Sequence, residues 1–170
     1  LHIALAEWAD LIIVAPMSAT SLSKFASGNA DGLLSSILLA AQSQIVIAAA
    51  MNTSMWSNQS IKKNWNYIKT IDQVISLEPC EGLLACDSFG DGKMVNLDII
   101  ELASESAFIF QEENRFLSKD LKKTRFLVSA GPTVENLDAA RQLTNRSSGR
   151  MGVLIAQAAK LRGAEVDLVH

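Results

Sequence analysis

Apolar positions along this chain alternate between two rhythms, and the alternation predicts its elements. Leu1, Leu5 and Trp8 stand at i, i+4 and i+7, the spacing of one helical face, and predict a helix ending near Asp10. Leu11 to Ala15 is an unbroken apolar run stopped by Pro16, the signature of a strand buried on both faces. Helical spacing returns over 18–26 and 33–41, divided by Gly28-Asn29-Ala30-Asp31-Gly32. A second buried strand is expected over 45–50, a helix over 58–71, a short strand over 73–77 and a helix over 97–110. Between the last two, residues 79–96 contain Gly82, Gly90 and Gly92 and read as a long functional loop.

The pattern then breaks. Residues 111–123 are a charged linker, after which strand, loop and helix begin again. A strand is expected over 126–130, followed by a loop over 131–148. A helix presents Met151, Leu154, Ile155, Ala158 and Leu161 on one face, and a strand over 166–169 follows. Strands alternating with helices imply parallel sheets covered by helices. The expectation is therefore an α/β chain in two parts: a first domain over 1–110 and the opening βαβ of a second over 124–170. Because the chain starts inside a helical pattern and stops directly after a strand, it reads as an internal piece of a longer protein.

Composition narrows the classes. Of 170 residues, 49% are hydrophobic and 19% charged, as in ordinary globular proteins. Two cysteines, Cys80 and Cys86, are too few for a disulfide framework, so a reducing, cytoplasmic compartment is expected. The longest apolar runs are strand-sized and predict no membrane span. The net charge of −3 divides unevenly: residues 1–110 hold 5 Lys/Arg against 11 Asp/Glu, and residues 111–170 hold 10 against 7. The basic part is interleaved with acids, which gives no nucleic-acid footprint.

Chemistry concentrates at the predicted strand ends. Ala15-Pro16-Met17-Ser18-Ala19-Thr20 follows the first strand, at the carboxyl edge where open α/β sheets take ligands. There Ser18 or Thr20 serves either as a helix cap or as a ligand donor. Ala49-Ala50-Met51-Asn52 ends the next strand on the same edge. Asn52 both donates and accepts, which suits a carboxylate or a polar ring edge as well as a plain turn. Cys86 lies in Leu84-Ala85-Cys86-Asp87-Ser88-Phe89-Gly90-Asp91-Gly92-Lys93-Met94, a setting poor for packing and good for chemistry; the other reading is a small buried hydrophobe. In the second part, Asn145-Arg146-Ser147-Ser148-Gly149-Arg150 opens a helix and offers an anion cradle. It matches neither the dinucleotide fingerprint nor the Walker loop.

The ordered set of motifs resembles the bifunctional phosphopantothenoylcysteine decarboxylase/phosphopantothenate–cysteine ligase family of coenzyme A biosynthesis. The resemblance runs through His2 to Asp10, Ala15-Pro16, Lys24 to Asp31, Met51-Asn52-x-x-Met55-Trp56, Ala85-Cys86 and Gly90-x-Gly92-x-Met94. It continues through Ala130-Gly131-Pro132-Thr133 and Thr144-Asn145-x-Ser147-Ser148-Gly149-x-Met151-Gly152. It implies a flavodoxin-like domain that binds FMN at a trimer interface, lacking here its first strand and phosphate loop. His2 matches an active-site histidine, Asn52 the asparagine holding the substrate carboxylate, and Cys86 the catalytic cysteine. Pro16, Met17, Ser18, Ala19 and Ala50 fall where family members contact flavin.

The implied reaction is physically sensible. A cysteinyl carboxylate departs only if its electrons have a sink, and oxidation of the C–S unit to a thioaldehyde by FMN supplies one. A thiol of ordinary pKa, about 8.5, stays protonated near neutrality and can return a proton. For the second half the resemblance implies ligation of phosphopantothenate with cysteine, using CTP and Mg. Arg141 and Asn145 match residues needed for turnover, and Ser147, Ser148 and Gly149 lie in the anion-cradle motif. Four departures stand out: Ala49 replaces a usual proline, Asp87 a glycine, Lys93 an arginine, and Ala139-Ala140 a Pro-Val pair. None removes a reacting group. Two other readings are a flavin decarboxylase acting on a peptide C-terminal cysteine, and a non-catalytic flavodoxin-like regulatory subunit.

Overall fold

The computed structural model describes residues 1–83, 89–112 and 120–169, and the chain divides into two compact units, Leu1–Leu117 and Ser118–His170. In the first unit the order is α1 (His2–Trp8), β1 (Leu11–Met17), α2 (Ala19–Ser27), α3 (Leu33–Ala40), β2 (Gln44–Ala49), α4 (Thr53–Trp56), α5 (Gln59–Ile68), β3 (Val74–Leu77), β4 (Cys80–Leu83), β5 (Phe89–Lys93) and α6 (Leu97–Glu112). Three strands form a parallel sheet in the order β1-β2-β3, with Ile45 opposite both Ile12 and Val74.

The central strand explains its own sequence. Every residue of β2 is buried, so it carries no polar alternation beyond its first position. Ile45, Ile47 and Ala49 point into one core with Val14, Met17, Leu22, Phe25, Trp65 and Ile68. Val46 and Ala48 are equally buried on the opposite face, and α6, with Ala103 and Ala107 fully buried, packs against β2. Burying each large side chain contributes about 1.5–3 kcal/mol, so this two-faced strand anchors the unit.

The helices obey local rules. Ser18 caps α2 by accepting the Ser21 N–H at 3.2 Å, and Gly28 ends it at φ +69°, a left-handed conformation that only glycine adopts without strain. Asn58 caps α5 in the same manner through the Ser60 N–H at 2.9 Å.

In this unit three expectations change. The strand ended by Pro16 continues to Met17: Val14 pairs with Ile47, the register shifts, and Met17 pairs with Ala49. Pro16 has no N–H to give the ladder, which is why the pairing skips there. The long loop over 79–96 contains an antiparallel hairpin, with Gly82 opposite Gly90 and Glu81 opposite Asp91. Finally, α6 extends through Glu112, two residues into the stretch read as linker.

In the second unit, β6 (Arg125–Ser129) pairs in parallel with β9 (Glu165–Val169) through α7 (Arg150–Leu161), the expected βαβ. The loop between β6 and α7 holds a further hairpin, β7 (Val134–Asn136) with β8 (Gln142–Thr144). No helix among the described residues is long and apolar enough to cross a membrane.

Candidate active site

The carboxyl ends of β1 and β2 are stitched into one edge. Met17 pairs with Ala49, and the Ala50 N–H donates to the Met17 carbonyl at 3.1 Å. This brings Pro16, Met17, Ser18, Ala19 and Ala50 together. Their side chains do not serve alike. Met17 is fully buried and Ala19 nearly so, both inside the core cluster, so only their backbone is available at the edge. Pro16 and Ser18 are exposed and Ala50 is half-buried. The Ser18 hydroxyl also donates to the Ser21 hydroxyl at 3.2 Å. Small apolar groups beside backbone amides and a hydroxyl suit a flat ring with a polar rim, and the donor set contains no carboxylate.

Asn52 stands just beyond this edge. It is exposed and caps α4, its Oδ1 accepting the Ser54 N–H at 2.9 Å. Only the oxygen of the amide accepts, so the Nδ2 end of Asn52 is its donor end. The hairpin reaches the same turn: the Met51 N–H donates to the Gly92 carbonyl at 3.0 Å. A Cβ added at Gly90 would lie 2.5 Å from Thr53 Oγ1, so β5 rests directly on the first turn of α4.

The other two residues of the expected trio are placed differently. His2 is exposed at the start of α1, a helix packed against α3. Cys86 lies outside the described residues, although the strands that flank it are β4 and β5. Sequence reasoning missed Thr53 entirely and noted Gly90 and Gly92 only as loop glycines and motif letters. The Gly-x-Gly spacing was visible, but the turn it presses against lies far away in sequence.

In the second unit the two serines act locally. Ser147 Oγ accepts the Gly149 N–H at 3.3 Å and Ser148 Oγ the Arg150 N–H at 3.4 Å. Gly149 is buried at φ +68°, where it caps α7. Asn145 accepts the Ser147 N–H through its carbonyl at 3.0 Å. Arg141 is tied to Asp138 by its Nε at 2.7 Å, while Asp138 Oδ1 also accepts the Ala140 and Arg141 N–H groups at 2.9 Å. The Arg141 bond, then the Ala140 N–H, hold the Asp138 carboxyl below the usual range. A depression of about 380 Å³ lies over this turn, lined by Asn136, Asp138 to Arg141 and Gln142. It belongs to an exposed hairpin and is not the strand-edge site. No cluster of metal-ligating side chains is formed among the described residues.

Known proteins bear directly on this geometry. The Flavoprotein family matches residues 1–108, and the DNA/pantothenate metabolism flavoprotein C-terminal domain matches residues 121–170. The coenzyme A biosynthesis bifunctional protein CoaBC of Bacillus subtilis is 41% identical over 169 residues, 99% of this chain and 40% of that protein. The CoaBC protein of Vibrio cholerae is 39% identical over 170 residues, with the same coverage. The chain thus spans about 40% of the length of these curated relatives. Among solved structures, a cysteine-to-serine mutant of PPC decarboxylase complexed with pantothenoylaminoethenethiol superimposes with a TM-score of 0.60 at 32% identity, covering 65% of this chain and 60% of the other. The FMN binding protein AtHal3 gives 0.54 at 32% identity, with the same coverage. The FMN-dependent cysteine decarboxylase SpaF gives 0.53 at 31%, covering 64% and 55%. These structures share the flavodoxin-like α/β fold, and this chain belongs to the flavoprotein family.

Proposed function

We propose that the protein carrying this chain decarboxylates 4'-phosphopantothenoylcysteine to 4'-phosphopantetheine with FMN. In the same reading, residues 121–170 open a ligase that joins phosphopantothenate to cysteine with CTP and Mg. The observation that carries this is the paired similarity: identity near 40% to CoaBC proteins runs through both units, across 99% of the chain. A decarboxylase of peptide C-terminal cysteines would have no use for the second unit. A regulatory subunit would have no need of His2, Asn52 and Cys86 together. The assembly in this reading is a trimer-based homo-oligomer in the cytoplasm.

The strand edge suits the cofactor. Pro16 and Ala50 offer apolar contact, the backbone of Met17 and Ala19 offers polar groups, and Ser18 offers a hydroxyl. Bound there, FMN would supply a reversible two-electron redox step, taking a hydride from the substrate so that the departing carboxylate has an electron sink and returning it once carbon dioxide has left. The chain's own residues do the rest. Asn52 Nδ2 donates to the substrate carboxylate and fixes its orientation. Cys86 supplies the proton that replaces carbon dioxide, and His2 completes the trio.

The deciding experiment is the visible spectrum of the full-length protein, followed by anaerobic mixing with phosphopantothenoylcysteine. A flavin band with release of carbon dioxide is the expected result. A flavin-loaded protein that releases none would overturn the substrate, and a colourless protein that FMN cannot reconstitute would overturn the cofactor.

A further inference from the structure

Asn52 is held from both sides by one strand. On its N-terminal side, the Met51 N–H donates to the Gly92 carbonyl at 3.0 Å. On its C-terminal side, Thr53 is covered by Gly90, where an added Cβ would meet Thr53 Oγ1 at 2.5 Å and Thr53 Cβ and Cγ2 at 3.4 Å. The φ of Gly90 lies outside the left-handed region, so glycine is required there by space alone. The atom in the way is not the end of a long flexible chain, because Thr53 is β-branched and sits at the first position of α4. Its hydroxyl is buried with no hydrogen-bond partner among the described residues, so the contact with Gly90 is packing rather than polar pairing.

We infer that Gly90 and Gly92 of β5 form a buttress that sets the position of the Asn52 carboxamide, with Gly90 a positioning residue for recognition of the substrate carboxylate. The inference rests on the proposed role of Asn52. Two points of β5, two residues apart, one through the Gly92 carbonyl and one through the space over Gly90, fix the residues before and after Asn52. The amide between them is oriented in turn by the Ser54 N–H. An alanine at position 90 must either turn the Thr53 side chain or lift β5 away from α4, and lifting β5 carries with it the Gly92 carbonyl that holds Met51 and so displaces Asn52. Removing the Thr53 side chain beyond Cβ leaves only a contact of 3.4 Å, which is ordinary van der Waals distance.

The test uses the full-length, FMN-loaded protein with Gly90→Ala, Thr53→Ala, the double variant and Asn52→Ala. Two kinetic quantities are compared: KM for phosphopantothenoylcysteine, which bears the carboxylate, and the inhibition constant of phosphopantetheine, which lacks it. Gly90→Ala is expected to raise the first about tenfold and leave the second unchanged, since a hydrogen bond to a charged group is what is lost. Adding Thr53→Ala to it restores the KM. Equal weakening of both ligands, or no rescue by Thr53→Ala, would overturn the inference.

Amide exchange at Met51 separates the two levels of the argument. If Asn52→Ala fails to distinguish the ligands, the role of Asn52 has failed. The buttress itself still stands if Met51 exchanges faster in Gly90→Ala and slows again in the double variant. If Asn52→Ala distinguishes the ligands and Gly90→Ala does not, the buttress alone is wrong. Should Gly90→Ala not fold, the double variant must fold with near-normal KM; if it does not, the steric account is overturned.

Discussion

At the junction of β3 and β4, the Glu78 carboxylate accepts a hydrogen bond from Trp65 Nε1 at 3.2 Å and another from Lys69 Nζ at 2.9 Å. Partial burial by itself would raise its pKa. The bonds from Lys69 and Trp65, with the charges of Lys69 and Lys62, outweigh that and hold it below the ordinary range. A carboxyl lowered in the folded state contributes stability above its unfolded pKa, about 4.5. That contribution disappears as the pH falls through the lowered folded value. Glu78→Gln is therefore expected to lower the denaturant midpoint at pH 7 and to cost progressively less below about pH 4.5. A cost independent of pH would mean that the Trp65 hydrogen bond alone matters. Such pairings were not legible in the sequence, because Trp65 and Lys69 are 13 and 9 residues from Glu78 and belong to another element. The place of Asn52 beyond the end of β2 was legible because it directly follows an apolar run. Catalysis has its own test at this scale: Cys86→Ser should still allow substrate to reduce the flavin but stop product formation, and unchanged turnover would remove Cys86 from the reaction.

Elements were readable in proportion to how strongly burial patterned them. β2 is buried throughout and α5 seals Ile61, Trp65 and Ile68 on one face, so their rhythms stand out in the sequence. The hairpins left no such trace. β7 and β8 are exposed at every position, and β5 is Phe-Gly-Asp-Gly-Lys, which lacks the β-branched alternation of a half-buried strand. Their pairing is set by what they lie against. The same holds where α7 meets β6: a Cβ at Gly152 would come within 2.6 Å of Ala130 Cβ, 3.0 Å of its Cα and 3.0 Å of the Ser129 carbonyl. Two of these three are backbone atoms that cannot rotate away. Alanine improves a helix interior by about 0.5–1 kcal/mol over glycine, whereas overpacking costs about 1–3 kcal/mol. The clash should win. Gly152→Ala is expected to destabilise the second unit and speed amide exchange at Ala156 and Ala159; slower exchange would show that propensity prevailed and that the helix has room.

Across the whole molecule, the charge division follows the two units and their proposed ligands. In the proposed reading the acidic first part would meet its substrate through neutral amides, hydroxyls and backbone, while the second part, with 10 Lys/Arg against 7 Asp/Glu over 111–170, opens a half expected to handle nucleotide phosphates. If the two chemistries occupy separate machinery, single substitutions should separate them. Cys86→Ser is expected to stop formation of 4'-phosphopantetheine in the full-length protein and leave CTP-dependent formation of phosphopantothenoylcysteine intact. Arg141→Ala should do the reverse. Its side chain is largely exposed, so the loss of its pair with Asp138 costs little in folding, and an effect on ligation would reflect chemistry rather than collapse. Measuring both products on both variants checks the assignment. A fall of both activities in either variant would mean that the halves do not work as independent sites, and an Arg141→Ala enzyme that ligates normally would leave the Asp138–Arg141 pair as a turn-forming contact only.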